Sequence, residues 1–161
     1  MKTRLYDFEE IKLNPLPDWG QLPELDLYLD QVLYYVNKVS QTPLNRDRKG
    51  VTAAMVNNYV KNGHLDKPIK KKYQRHHLAR LIAIAFLKNV FSLQEVGETL
   101  SILRKDYSSE ELYHFFVVGM SEETSTIPEV IHYSCLAIKT YYKARLLTLE
   151  MGGAVNGESN L

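Results

Sequence analysis

The chain has 161 residues, of which 45 % are hydrophobic, and a formal net charge of +1 at pH 7. This length suits one domain, or a small domain with a helical extension, and the hydrophobic content excludes a disordered chain. The single cysteine excludes an intrachain disulfide and is typical of a reducing compartment. No apolar run approaches the length of a membrane span, and the first ten residues lack the apolar core of a signal peptide, so we expect a cytoplasmic protein.

Residues 1–23 are predicted to form an N-terminal arm followed by a proline-rich connector. Three prolines and Gly20 favour an extended, turning chain here over a helix. Trp19 lies within the connector. We expect its ring to hold the connector on the core, because a large aromatic side chain contributes most when it is buried.

Two helices are predicted next. Residues 24–40 form the first, since apolar side chains recur there with a period of 3.6 residues, and residues 42–50 are a connector longer than the turn of a standard helix-turn-helix. The second spans residues 53–62. Thr52 can accept a free backbone N–H at its start, and Gly63 suits the left-handed position after its end.

The polar side chains of this second helix are the first candidates for a function. Asn57 and Asn58 carry amides that can read base edges, and Lys61 can contact phosphates. The same residues would also suit an ordinary solvated surface helix, so this helix alone does not decide between the two interpretations.

The chain around and after this helix is strongly basic. Residues 46–80 contain ten Lys and Arg against two Asp and Glu, a local net charge of +8 in a chain whose total is +1. Lysine runs also occur in solvated loops, but this concentration next to an amide-rich helix favours a nucleic-acid-binding face. Within the stretch, residues 68–73 are too short and too interrupted by Pro68 for a helix, and they predict a two-strand wing.

Two more helices follow the basic stretch. The third helix spans about residues 75–89, with an apolar stripe from Leu78 to Phe86. The fourth begins after Ser92, which can form a capping box with Glu95. Four amphipathic helices by residue 103 predict an all-α fold with a small two-strand wing.

The C-terminal part is also predicted to be helical. A helix from Ser109 to Met120 precedes a longer one that Ser125 or Thr126 can cap, with Pro128 in its first turn. The long helix carries more apolar surface than a domain this small readily covers, so we expect a homodimer. The expected dimerisation residues are Ile131, Cys135, Ile138, Tyr142, Leu146 and Leu149. The small and polar residues 152–161 are expected to be a disordered tail.

A pattern of twelve residues lies between residues 51 and 100: Tyr59, Gly63, Leu65, Tyr73, Leu78, Leu81, Ile82, Phe91, Ser92, Leu93, Glu95 and Val96. This pattern resembles the winged helix-turn-helix of MerR-type regulators. Two features differ: Asn57-Asn58 replaces the arginine-rich part of the MerR recognition helix, and the wing carries Lys70, Lys71 and Lys72 in place of Arg and Gly-Tyr-Arg. The resemblance implies DNA binding and dimerisation through a C-terminal helix, and it leaves open an unidentified small-molecule effector.

A second resemblance covers nearly the whole chain. The segments that carry it are Leu-Asn-Pro-Leu-Pro-x-Trp, Leu-Tyr-Leu-Asp-Gln-Val, Met-Val-Asn-Asn-Tyr-Val-Lys and Pro-Ile-Lys-Lys-Lys-Tyr. They are similar to an uncharacterised bacterial family found in Firmicutes, the domain of unknown function numbered eighteen thirty-six. This resemblance implies a fold rather than a function.

These observations predict a DNA-binding transcriptional regulator that acts as a homodimer. The alternative is a protein-interaction or structural module that keeps the winged fold without binding DNA. Residues 24–106 would form the winged helix-turn-helix and residues 107–151 the helical dimerisation extension. The expected DNA-binding residues are Thr52, Asn57, Asn58, Lys61, Lys70, Lys71, Lys72, Tyr73, Arg75 and His76. The sequence contains no catalytic, cofactor-binding or metal-binding pattern, so we expect no enzyme, no cofactor and no metal.

Overall fold

The computed structural model describes residues 13, 15–42, 44, 50–121 and 126–152. The predicted N-terminal arm up to residue 12, most of the connector at 45–49, the segment 122–125 and the tail from residue 153 lie outside the described residues. Within the described part, the chain is mainly α-helical with one small antiparallel sheet, as the sequence predicted. No described helix is both long enough and apolar enough to cross a membrane.

The structure has one central helix surrounded by the others. The elements in chain order are a 3-10 helix (Trp19–Gln21), β1 (Leu27–Tyr28), α1 (Leu29–Ser40), α2 (Ala53–Lys61), β2 (Lys72–Tyr73), α3 (Arg75–Leu87), α4 (Leu93–Leu103), α5 (Ser109–Met120) and α6 (Glu129–Met151). α3 has buried side chains round most of its circumference, as expected of a helix that packs on several neighbours. It contacts α1, α4, α5 and α6, so both predicted regions, before and after residue 106, contribute to one hydrophobic core.

The first helix begins at Leu29, not at residue 24 as predicted. Leu27 pairs with Tyr73 and Tyr28 with Lys72 in an antiparallel ladder, which uses backbone groups that a longer helix would need. Gln31 then caps the start of α1, because its Oε1 accepts a hydrogen bond from the Tyr28 N–H at 2.9 Å. The strand that pairs with the predicted wing therefore comes from the chain before α1.

The last helix also begins later than predicted. Pro128 occupies its N-cap position with an extended conformation, φ −54° and ψ 136°, and Glu129 is the first helical residue. A residue before proline is disfavoured in the helical conformation, so Thr126 and Ile127 lie outside the helix and Thr126 does not cap it. Ser125, the other predicted cap, lies outside the described residues.

Three of the predicted dimerisation residues belong to the core of the single chain. Cys135 and Ile138 are 0 % exposed and Tyr142 is 3 % exposed, because this side of α6 packs on α5 and α3. Burial raises the pKa of the Cys135 thiol to about 12. These residues are therefore not available to a partner in this fold. The other three, Ile131, Leu146 and Leu149, are half-buried.

Candidate nucleic-acid interface

α1 fixes the start of α2 through one side chain. The Val51 N–H donates to Asn37 Oδ1 at 2.7 Å, and Asn37 Nδ2 donates to the Val51 carbonyl at 3.0 Å. One residue later, Thr52 Oγ1 accepts the Met55 N–H at 3.2 Å, which confirms the predicted N-cap. The direction of α2 is therefore set by hydrogen bonds between side chains and the backbone at its first residues.

The end of α2 is fixed as well. Gly63 has a φ of +77°, the left-handed conformation that the sequence predicted for it. Its N–H donates to the Val60 carbonyl at 3.2 Å, and the His64 N–H donates to the Tyr59 carbonyl at 2.8 Å. This pair of bonds is a Schellman motif, which satisfies carbonyls that the helix end would leave unpaired.

Between these two ends, α2 has a buried side and an exposed polar side. Val56 and Tyr59 pack into the core, whereas the candidate residues Asn57, Asn58 and Lys61 are exposed. Asn62 Nδ2 donates to Asn58 Oδ1 at 2.9 Å, which orients the Asn58 amide. The second Oδ1 lone pair and the Nδ2 hydrogens of Asn58 remain for a ligand such as a base edge.

A tight hairpin carries two of the candidate lysines at its tip. Ile69 and Lys72 exchange both backbone hydrogen bonds, at 3.0 and 2.9 Å, and Lys70 and Lys71 have φ values of 52° and 65°. Positive φ at both central residues is the requirement of a type I′ turn, for which Asn-Gly is preferred. A left-handed conformation costs a residue with a Cβ about 1–2 kcal/mol. The left-handed conformation is therefore unfavourable for the lysines at both of these exposed positions.

Two further candidates of the basic stretch, Tyr73 and Lys72, pack against other residues of the domain. Tyr73 is 4 % exposed, because alternate residues of β2 point to opposite sides and this one points into the core. It is therefore unavailable to DNA. On the other side of the strand, Lys72 is half-buried, with Nζ 5.2 Å from the centroid of the Tyr28 ring.

Arg75 holds the proline-rich connector in place. Its guanidinium donates to the Leu22 carbonyl at 3.1 Å, lies 3.6 Å from the Glu24 carboxylate and stacks 6.0 Å from the Trp19 ring centroid. The Trp19 ring also lies 6.3 Å from that of Tyr113, which confirms that it holds the connector on the core. Arg75 thus stabilises the fold, whether or not its charge also contributes to a DNA-binding surface.

Two adjacent histidines begin α3. His76 Nε2 lies 3.4 Å from the Asp66 carboxylate at the surface. His77 is 1 % exposed, with Nδ1 accepting the Gln74 N–H at 2.9 Å and Nε2 lying 3.2 Å from the Asp66 carbonyl. This arrangement requires a neutral ring protonated on Nε2. Burial, and then the charge of His76, lower the pKa of His77. This role of His77 was not predicted from the sequence.

The geometry defines a mainly α-helical domain in which a short helix, fixed at both ends, is followed by a lysine-tipped hairpin. The model of the family described as Domain of unknown function (DUF1836) matches residues 17–116, and the chain belongs to that family. The match extends from the proline-rich connector to α5 and includes α2 and the hairpin. Comparisons with curated proteins and with solved structures found no match.

Proposed function

We propose that the protein is a cytoplasmic transcriptional regulator that binds DNA through a MerR-like winged helix-turn-helix and acts as a homodimer. The order of α1, α2, hairpin and α3 is compatible with such a fold, with α2 as the recognition helix. The observation that carries the proposal is the hairpin tip. Lys70 and Lys71 occupy left-handed positions that favour other residues, and a conformation retained against this preference suggests a functional demand for their charge.

The two groups of exposed residues have different roles in this proposal. Asn57, Asn58 and Lys61 enter the major groove, where a side-chain amide can satisfy both the donor and the acceptor of an adenine edge. Lys70 and Lys71 contact phosphates, which need only a positive charge. The Asn37 and Gly63 anchors hold α2 in one orientation, so little conformational entropy is lost on binding.

The proposed dimer uses the exposed side of α6 and not its buried side. Four large apolar side chains of this helix are well exposed: Val130 at 43 %, Tyr133 at 61 %, Leu147 at 44 % and Met151 at 87 %. Burying them against a second copy would remove apolar surface from water. Two copies of α2 would then face two half-sites, so the DNA sequence bound should be palindromic.

Selection of bound fragments from a random duplex pool tests the proposal directly. The full chain should enrich a palindromic site, and Asn58→Ala should weaken binding to that site by about 1–3 kcal/mol while leaving random DNA nearly unaffected. Gln94→Ala, which removes an exposed amide from α4, is the matched control and should bind like the unaltered protein. If no sequence is enriched and binding does not depend on salt, the DNA proposal fails and a protein-interaction module becomes the better account.

A further inference from the structure

A cavity of about 330 Å³ lies between α3, α4, α5 and the start of α6. Its walls are mostly apolar. Ala79 and Ala83 on α3 are too small to fill it, and the larger apolar side chains around it include Leu87, Val96, Leu100, Leu103, Leu112 and Phe116. This volume is within the range of sites for small organic ligands.

The space exists because α4 packs only loosely on the rest of the domain. Val96 is the one residue of α4 that is buried, at 8 % exposure, whereas Ile102 is 64 % exposed. Leu100 and Leu103 line the cavity, and both are only half-buried. A ligand with an apolar body would complete the burial of these side chains.

The cavity also has a cation that forms no ion pair with the described residues. Arg80 lines it, and its guanidinium donates to the His64 carbonyl at 3.0 Å. Within the described part of the chain, no carboxylate lies within 4 Å of this group. Burial, and then the charge of Arg104, lower the pKa of Arg80, whereas the charge of Asp66 raises it. A partly buried cation of this kind is stabilised by a negatively charged ligand.

Two carboxylates line the same cavity, and both are exposed to solvent. Glu95 accepts the Ser92 N–H at 2.8 Å as part of the capping box of α4, and Glu98 is exposed on the same helix. Among the described residues, neither carboxylate forms an ion pair with Arg80.

We propose that this cavity binds an amphipathic carboxylate, such as a medium-chain aliphatic acid. The carboxylate pairs with the Arg80 guanidinium, which offers a planar fork of donors, and the apolar tail fills the space beside Ala79 and Ala83. The inference does not depend on DNA binding, since of the expected DNA-binding residues only His76 lines the cavity.

Calorimetric titration of the full chain with three ten-carbon probes tests this chemistry. Decanoate should bind at least about tenfold more tightly than decanol, because only decanoate forms an ion pair with the guanidinium, and decylamine should bind weakest. Lengthening the acid from hexanoate to octanoate to decanoate should tighten the dissociation constant about fourfold per CH₂ group. Equal binding of decanoate and decanol, or no binding of either, would overturn the proposal.

Two variants with one control locate the site. Ala83→Phe fills the cavity and should abolish decanoate binding while far-UV circular dichroism remains unchanged. Arg80→Met should bring the affinity for decanoate down to that for decanol. The control Arg104→Met removes a nearby exposed cation and should keep most of the difference in affinity between decanoate and decanol. If Ala83→Phe still binds decanoate, the acid binds elsewhere. If Ala83→Phe instead changes the mass in light scattering, the cavity is occupied by a second copy, and the proposal is wrong.

Discussion

The side chain of Asn37 forms two hydrogen bonds with the backbone of Val51, at 2.7 Å to its N–H and 3.0 Å to its carbonyl. Asn37 is on α1, and Val51 immediately precedes the cap of α2. The amide therefore acts like a neighbouring strand, pairing both backbone groups of one residue. Because Val51 is 2 % exposed, water has little access to replace these bonds.

Removing this amide should destabilise the fold. Asn37→Ala leaves two buried backbone groups of Val51 unpaired, and we expect the free energy of unfolding to fall by about 2 kcal/mol. Asn37→Asp should also destabilise, because a carboxylate cannot donate to the Val51 carbonyl. Urea unfolding followed by circular dichroism measures both effects. Lys38→Ala, which removes an exposed neighbour on α1, is the control. An unchanged midpoint for Asn37→Ala would show that the pair contributes nothing.

Local signals in the sequence predicted most of the helix ends. Ser92 and Glu95 form the predicted capping box, and Gly63 has the predicted left-handed conformation, because these motifs depend on residues within a few positions of one another. The pairing of Leu27 with Tyr73 was missed, since its partners are far apart in the chain. The hydrogen bonds of Asn37 were missed for the same reason.

The candidate site was predicted less completely than the helices. The exposure of Asn57 and Lys61 followed from the helical period, but the burial of Tyr73 depends on a strand whose partner was not foreseen. On α6, an apolar stripe indicates burial without indicating what covers it. Cys135 and Ile138 were thus expected at an interface between copies, whereas they pack inside one chain.

Gly119 allows α5 and α6 to approach closely. A Cβ at this position would lie 2.6 Å from Cys135 Sγ and 3.2 Å from Ile127 Cδ1. We expect Gly119→Ala to lower the free energy of unfolding by about 1–3 kcal/mol through overpacking. Cys135→Ala removes the Sγ atom, so the double variant should be less destabilised than the sum of the two single variants. Additive effects in thermal unfolding would contradict a direct contact.

His77 should make stability depend on pH. Burial lowers its pKa below the ordinary value of 6.5, so the folded protein favours the neutral ring. As pH falls through 6.5, the unfolded chain binds a proton more readily than the folded one, and the free energy of unfolding decreases. The stabilisation is fully present above that pH and is lost progressively below it.

His77→Gln tests this dependence, because glutamine at this position can still accept the Gln74 N–H and does not titrate. Urea midpoints compared between about pH 5 and about pH 7.5 should fall less for this variant than for the unaltered protein. The other four histidines are present in both proteins, so the difference between the two proteins reports the removal of His77. An identical loss of stability in the two proteins would exclude His77 as the cause.

The proposed homodimer should depend on exposed residues of α6. Light scattering should give twice the chain mass of 18.6 kDa, and Leu147→Glu should reduce this to one chain without loss of helix content. Ile138→Glu should instead unfold the chain, because it places a charge at a site with 0 % exposure. A monomeric mass for the unaltered protein at micromolar concentration would contradict the dimer.

The salt dependence of DNA binding by the double variant Lys70→Asn/Lys71→Gly tests whether the hairpin tip contacts phosphates. Asn-Gly suits the type I′ turn, so the free energy of unfolding should rise by about 1 kcal/mol, while two phosphate contacts are lost. The plot of log K against log salt concentration should flatten by about 1.8 units, or about 0.9 per contact. The control, Lys38→Ala/Lys105→Ala, loses the same charge from two other exposed positions and should keep the original slope. A turn variant that binds DNA with unchanged affinity and slope would contradict the account.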